Sequence, residues 1–216
     1  MGSNPTLSAR HVDAPAANRG KYLRHAVRVS QLSIAWSAAA GSAGAVVGVV
    51  AGSVALLGFG LNSVVDAAAS GVLVHRFHTE RQSPHRADDL EHRARRILGV
   101  ALLVIGVYVG VSAVNELASH EEPERTTVGI LIALASVVAL PPLAVYKRRT
   151  ANELGSAALR ADSVLTTIAA ALAAGALVGL LVTEWFEWWW ADSAIALAMV
   201  GVLLREGLGV LRVPPP

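Results

Sequence analysis

A single carboxylate, Asp66, lies in an apolar stretch long enough to cross a lipid bilayer. The stretch runs from Gly52 to Phe77 and reads GSVALLGFGLNSVVDAAASGVLVHRF. Since a helical residue rises ~1.5 Å, Asp66 falls within a few Å of the middle of a ~30 Å hydrocarbon core. Asn62 precedes it by four residues and shares its helical face. A carboxylate at this depth is typical of an ion pathway, although it could also pair with another buried polar group and only join helices.

A second polar face occurs later in the chain, in LGSAALRADSVLTTIAAALAAG. Asp162 and Thr166 are four residues apart there and therefore lie on one helical face. Two interpretations remain open. The face takes part in an ion pathway, or Arg160 pairs locally with Asp162 while the hydroxyls bond back to their own helix.

The composition excludes a water-soluble protein. Of the 216 residues, 54% are hydrophobic and only 16% are charged, and the mean hydropathy is +0.51. The chain contains no Cys, so a metal would have to bind to oxygen or nitrogen ligands. Its basic residues flank apolar segments and are not interleaved with aromatic residues, which argues against a nucleic-acid partner.

Six membrane-spanning helices can be placed along the chain, which predicts an all-α integral membrane protein, a six-transmembrane-helix bundle. The predicted spans are 29–50, 53–76, 97–118, 127–145, 156–182 and 189–211. Residues 1–28 are predicted to be a disordered cytosolic tail and 213–216 a short C-terminal tail. Pro141 and Pro142 should kink or end the fourth helix, and KRRTANE should be a polar connection.

The distribution of basic residues predicts the orientation. Seventeen Lys and Arg residues fall on one side of the six spans and only Arg125 on the other. Lys147 is counted here as part of an inner connection. The positive-inside rule then places both termini in the cytosol and the protein in the plasma (inner) membrane. The Trp cluster at residues 185–190 is expected at the outer membrane interface.

Three segments resemble the transmembrane domain of the cation diffusion facilitator family. They are GSVALLGFGLNSVVDAAAS, SAALRADSVLTT and WWWADSAIALAMVGVLLREG, and the likeness covers about Lys21 to Arg212. It extends to short members of the transmembrane protein 163 type, which lack the cytosolic C-terminal domain. The resemblance implies a homodimeric secondary transporter, not an enzyme, with no resident cofactor. It would export a divalent cation, Zn²⁺ in the first place, in exchange for H⁺ by alternating access.

The ligands that the resemblance implies are only partly present. The acidic pair on the second helix falls on Asn62 and Asp66, and the pair on the fifth helix falls on Leu165 and Ala169, which cannot bind a metal. Nearby polar residues would have to complete the shell, which favours a loose, oxygen-rich site over tight zinc binding. The predicted metal-binding residues are therefore Asn62, Asp66, Asp162 and Thr166.

Two functions follow from this incomplete site. In the first, the protein is a transporter in which Asp66 binds the metal and accepts a proton. In the second, it is a membrane scaffold or regulatory partner that kept the fold and lost the site. The expected partners are membrane lipid, a divalent metal ion and a second copy of the chain.

Overall fold

The computed structural model describes residues 13–79, 84–120, 124, 126–154 and 156–212. Six helices occupy these residues: α1 Asp13–Ala51, α2 Val54–Thr79, α3 Pro84–Ser119, α4 Thr127–Leu154, α5 Ala157–Phe186 and α6 Ala191–Arg212. Each contains a segment long and apolar enough to cross a membrane. The predicted fold class, an all-α bundle of six transmembrane helices, is confirmed.

The helices extend beyond the predicted spans. Helix α1 begins at Asp13 and α3 at Pro84, whereas the apolar segments of these helices begin only at Val27 and Arg96. The residues between are rich in Ala, Arg and Leu, which favour a helix in water as well as in lipid. Hydropathy therefore locates the membrane-spanning part of a helix but not its end. Residues 1–12 and 213–216 of the predicted tails lie outside the described residues.

Helix α4 continues through Pro141 and Pro142 to Leu154, so the predicted end of the helix near residue 145 is wrong. The KRRTANE segment, expected to be a connection, forms its last two turns. Pro is tolerated inside transmembrane helices because neighbouring helices compensate for the lost backbone hydrogen bond. One buried stripe continues along α4 past the prolines, at positions 133, 136, 140, 144, 147 and 151. The sixth helical turn of α4 therefore brings Lys147 into the bundle.

Helices α1 and α2 are joined by a tight turn at Gly52. Its φ of 67° lies in the left-handed region, which glycine adopts without steric cost. The Ser53 amide donates to the Gly48 carbonyl (2.9 Å) and the Gly52 amide to the Val49 carbonyl (3.4 Å), as in a Schellman motif. Ser53 then caps α2, since its Oγ accepts a hydrogen bond from the Leu56 amide at 3.1 Å. The predicted spans 29–50 and 53–76 are thus the two arms of a helical hairpin.

Glycines allow α1 and α2 to pack backbone against backbone. A Cβ atom added to Gly48 would lie 2.6 Å from the Leu57 amide nitrogen, and one added to Gly60 would lie 2.3 Å from the Ala45 amide nitrogen. The sequence predicts such a stripe at positions 44, 48 and 52, but position 52 belongs to the turn. The stripe consists instead of small residues at 41, 44 and 48, and it continues toward the N-terminus as Ser37, Ser33 and Ser30.

Helix α2 is the most buried of the six spans and lies at the centre of the bundle. It packs against α1, α3, α5 and α6, while α4 packs mainly against α5 and α1. Its N-terminal half carries Leu56 and Phe59, which lie in the apolar core. Its other half carries Asp66 and Ser70, which are also buried. The polar half of α2 therefore faces α1, α4 and α5 and not lipid.

Candidate functional site: a buried carboxylate and lysine network

Asp66 lies inside the bundle and is hydrogen-bonded from two helices. Its side chain is only 2% exposed. Ser37 of α1 donates to Oδ2 at 2.9 Å, and Thr166 of α5 donates to Oδ1 at 3.2 Å. Each carboxylate oxygen therefore has one hydroxyl partner. Both partners are neutral hydroxyls, and each carboxylate oxygen can accept more than the one hydrogen bond that it has here.

Lys147 of α4 is fully buried, with a relative exposure of 0%. Its ammonium nitrogen lies 2.8 Å from Asp162 Oδ2 on α5. It also donates to Thr166 Oγ1 at 2.8 Å and to Ser70 Oγ at 3.0 Å. An ammonium group has three protons, and here three oxygen atoms surround it. The lysine is therefore held as an ion pair with additional hydroxyl contacts, which is the arrangement that a buried charge requires.

Ser70 and Thr166 connect the two carboxylates. Ser70 accepts a hydrogen bond from Lys147 and donates one to Asp162 Oδ1 at 2.7 Å. Thr166 accepts from Lys147 and lies within hydrogen-bonding distance of Asp66. The network is continuous from Ser37 to Asp162 and includes residues of α1, α2, α4 and α5. Two carboxylates and one ammonium give it a net charge of −1 when all three groups are ionised.

The two carboxylates lie at different depths. Asp66 lies ~18 Å from Val54 and ~14 Å from His75 along α2, which places it near the middle of the span. Asp162 lies only three residues, or ~5 Å, from Leu159, where the apolar segment of α5 begins. The Lys147–Asp162 pair is therefore closer to the end of the bundle where α5 begins, which is the end predicted to be cytosolic.

Three of the four predicted metal-binding residues come together in this network, namely Asp66, Asp162 and Thr166. Asn62 is also buried, but among the described residues no hydrogen bond joins its side chain to the others. The family resemblance places a second ligand pair at positions 165 and 169, where this chain has apolar residues. Ala169 is fully buried in the apolar core, and Leu165 packs against that core.

Comparison with known proteins decides the family. The family model described as cation efflux transmembrane domain matches residues 30–213. The chain belongs to this family. An uncharacterized transporter of Synechocystis sp. is 28% identical over 168 residues, which is 76% of this chain and 54% of that protein. Transmembrane protein 163 of Xenopus laevis is 26% identical over 199 residues, covering 88% of this chain and 67% of that protein. The chain thus spans about half the length of the first relative and two thirds of the second.

As a cation efflux domain, the chain offers few strong metal ligands. No group of three or more His, Cys, Asp or Glu side chains that could hold a metal ion occurs among the described residues. The oxygen atoms of the network come from two carboxylates and three hydroxyls, and one carboxylate is paired with Lys147. Hydroxyl and carboxylate oxygens suit hard or borderline cations held loosely, and not a tetrahedral zinc site built from His and Cys.

The sequence analysis of this cation efflux domain missed Lys147, Ser37 and Ser70. It assigned Lys147 to an inner connection and considered a local pair of Arg160 with Asp162. In the structure Arg160 is exposed, and Asp162 pairs with Lys147. The 3–4 spacing of the buried stripe on α4 includes position 147 and omits Arg148 and Arg149. That spacing is the signal that could have identified the buried lysine.

A separate carboxylate, Asp192 of α6, stabilises the N-terminal end of α2. It is fully buried, and it accepts hydrogen bonds from Ser53 Oγ at 2.8 Å and from the Ala55 amide at 3.0 Å. A carboxylate at a helix N-terminus satisfies free amide groups and interacts favourably with the helix dipole. Since all of these contacts are to the start of α2, Asp192 has a structural role in this cation efflux domain.

Proposed function

We propose that the protein is a secondary transporter that exports a divalent metal cation, zinc-like in charge and size, in exchange for protons. The observation that supports this proposal is Asp66, a carboxylate buried near the middle of the membrane in a cation efflux domain. An ionisable group at that depth is costly, and its usual role is in ion binding or proton transfer. Asp66 would alternate between the metal-bound and the protonated state.

The ligand shell would be rich in oxygen. Asp66 supplies the charged ligand, Thr166 contacts it at 3.2 Å, and Asn62 lies one turn away on the same helix. Asp162, nearer the inner end, would act as a second carboxylate on the entry path. Such a shell binds a divalent cation weakly enough to release it, which a transporter requires.

The transport cycle would expose Asp66 to one side of the membrane at a time. The burial of Asp66 and Thr166 supports a cycle that includes a state closed on both sides of this carboxylate. We further propose that the protein works as a homodimer in the plasma (inner) membrane with both termini in the cytosol. The excess of Lys and Arg at one end of the spans supports this orientation.

The test is metal uptake into proteoliposomes under an imposed pH gradient. Vesicles containing the full chain are loaded with a fluorescent chelator and exposed in turn to Zn²⁺, Mn²⁺, Cd²⁺ and Co²⁺. Asp66→Asn should abolish uptake, because the amide preserves the size of the side chain and removes the charge. Glu153→Gln is the matched control, since Glu153 is an exposed acid on α4 and its change should leave uptake intact.

Failure of uptake by the folded wild-type protein for all four metals would overturn the transport proposal and favour the scaffold alternative. Uptake that persists in Asp66→Asn would show that the carboxylate is not the ion-binding group.

A further inference from the structure

Lys147 occupies the position that a bound cation would take in the network. Its ammonium nitrogen is within 3.0 Å of one carboxylate oxygen and two hydroxyl oxygens, contributed by Asp162, Thr166 and Ser70. The two hydroxyls face it through their oxygen lone pairs, as they would face a metal ion. Ser70 in turn gives its proton to the other oxygen of Asp162. The protein thus supplies a cation of its own to one half of the site.

The position of Lys147 relative to Asp66 determines what an entering ion meets. Ser70 lies one helical turn from Asp66 toward the end of α2 that is predicted to be cytosolic. The ion pair at Ser70 therefore lies between Asp66 and that end of the bundle. Lys147, Asp162 and Ser70 are all at most 4% exposed, so the pair closes this route in the structure.

We propose that the Lys147 ammonium is a tethered cation that occupies the Asp162 half of the network and leaves only the Asp66 half to the transported ion. Lys147 has to move away from Asp162 before a second carboxylate becomes available to a divalent cation. This inference deepens the proposed function, because its account of ion entry depends on the protein being a transporter. It also explains why the network presents a net charge of −1 to a divalent ion, whereas two carboxylates without the lysine would present −2.

The proposal predicts that removal of the lysine charge creates a stronger divalent site. Lys147→Met keeps an unbranched side chain that lacks only the position of the terminal nitrogen. It leaves two carboxylates without a counter-charge, which changes the net charge of the network from −1 to −2. One added unit of negative charge within ~6 Å at an effective dielectric constant of ~20 increases divalent affinity at least about tenfold. Affinity is measured by equilibrium dialysis of Mn²⁺ and Zn²⁺ against the purified full chain in nanodiscs.

Two further variants control for the charge. Lys147→Met combined with Asp162→Asn restores the net charge of −1, so its affinity should return to within about threefold of the wild type. Lys147→Arg retains the positive charge and should not bind metal more tightly than the wild type. Because an unpaired Asp162 is destabilising, the thermal unfolding midpoint of each variant is measured with and without Mn²⁺. Mn²⁺ should raise the midpoint of Lys147→Met more than that of the wild type.

The outcomes separate this inference from the proposed function. If the wild type transports metal in an Asp66-dependent way and Lys147→Met binds metal no more tightly, the tethered-cation proposal is overturned and the transport proposal stands. If the wild type transports nothing and Lys147→Met binds metal tenfold more tightly, the transport proposal is overturned and the tethered-cation proposal stands. If the double variant binds as tightly as Lys147→Met, Asp162 is not the carboxylate that Lys147 neutralises, and the proposal is overturned.

Discussion

Gly60→Ala should separate α1 from α2 and thereby weaken both the fold and the site. The added Cβ would lie 2.3 Å from the Ala45 amide nitrogen and 2.8 Å from the Gly41 carbonyl oxygen. Both neighbours are backbone atoms, which cannot rotate away as a side chain would. Restoring an ordinary contact requires the helices to move apart by ~1 Å. Overpacking of this kind costs about 1–3 kcal/mol, and more when only backbone can yield.

The matched control is Gly71→Ala, in the same helix. A Cβ atom there meets nothing within 4 Å, so this variant gains the helix propensity of Ala without a clash. That gain is up to about 1 kcal/mol and is common to both variants. Since this gain cancels between the two variants, we expect Gly60→Ala to be less stable than Gly71→Ala by the overpacking cost alone, at least about 1–3 kcal/mol. The comparison of the two alanines removes the effect of propensity.

Stability is measured by reversible unfolding in mixed micelles, followed by tryptophan fluorescence and far-ultraviolet circular dichroism. Metal uptake is measured on the same preparations. The Ser37–Asp66 hydrogen bond crosses the α1–α2 interface at 2.9 Å, and a separation of ~1 Å would break it. Uptake by Gly60→Ala should therefore fall while Gly71→Ala retains it. Equal stability and equal uptake of the two variants would refute the close packing of these helices.

Two further predictions concern hydrogen bonds that cross the bundle. Asp192→Ala should lower the free energy of unfolding by about 1–3 kcal/mol, since two hydrogen bonds to the start of α2 are lost. Asp192→Asn, which retains one acceptor, should cost less in the same unfolding assay. An Asp192→Ala variant as stable as the wild type would show that the cap contributes nothing. Thr166→Val should lower metal uptake at least about tenfold, because the valine breaks the link between Lys147 and Asp66. Thr167→Val is its control, since within the described part of the chain the hydroxyl of Thr167 bonds only to its own helix, at the Ser163 carbonyl. Uptake that falls equally in both variants would contradict a specific role for Thr166.

The sequence is sufficient to predict the six spans and the carboxylate near the middle of the second. Apolar length determines the number of crossings, and the confirmed fold follows from it. A carboxylate such as Asp66 stands out because almost every residue around it is apolar. The family could be recognised for the same reason, since its motifs surround the polar positions of three helices.

The partner of Asp162 could not be predicted from local patterns. Lys147 begins a run of three basic residues, and runs of that kind usually lie at a membrane interface. Pro141 and Pro142 reinforced the expectation that the helix had ended. The 3–4 spacing along α4 distinguishes Lys147 from Arg148 and Arg149, but only the packing of α4 against α5 pairs Lys147 with Asp162. Such a contact joins residues that are distant in sequence, and one sequence contains no direct information about it.

The contacts of α2 give its two ends different freedom to move. At its N-terminal end, Gly52 and Ser53 join it to α1, and Asp192 attaches it to α6. Toward the other end, Asp66 and Ser70 are held by hydroxyl and ammonium contacts from three neighbouring helices. If the contacts near Gly52 persist while those of Asp66 and Ser70 break, α2 can move only by rotating about Gly52. A small rotation at that pivot becomes a larger displacement at His75, so under the proposed function the opening would be widest at the end of the α2 span that is farthest from the turn.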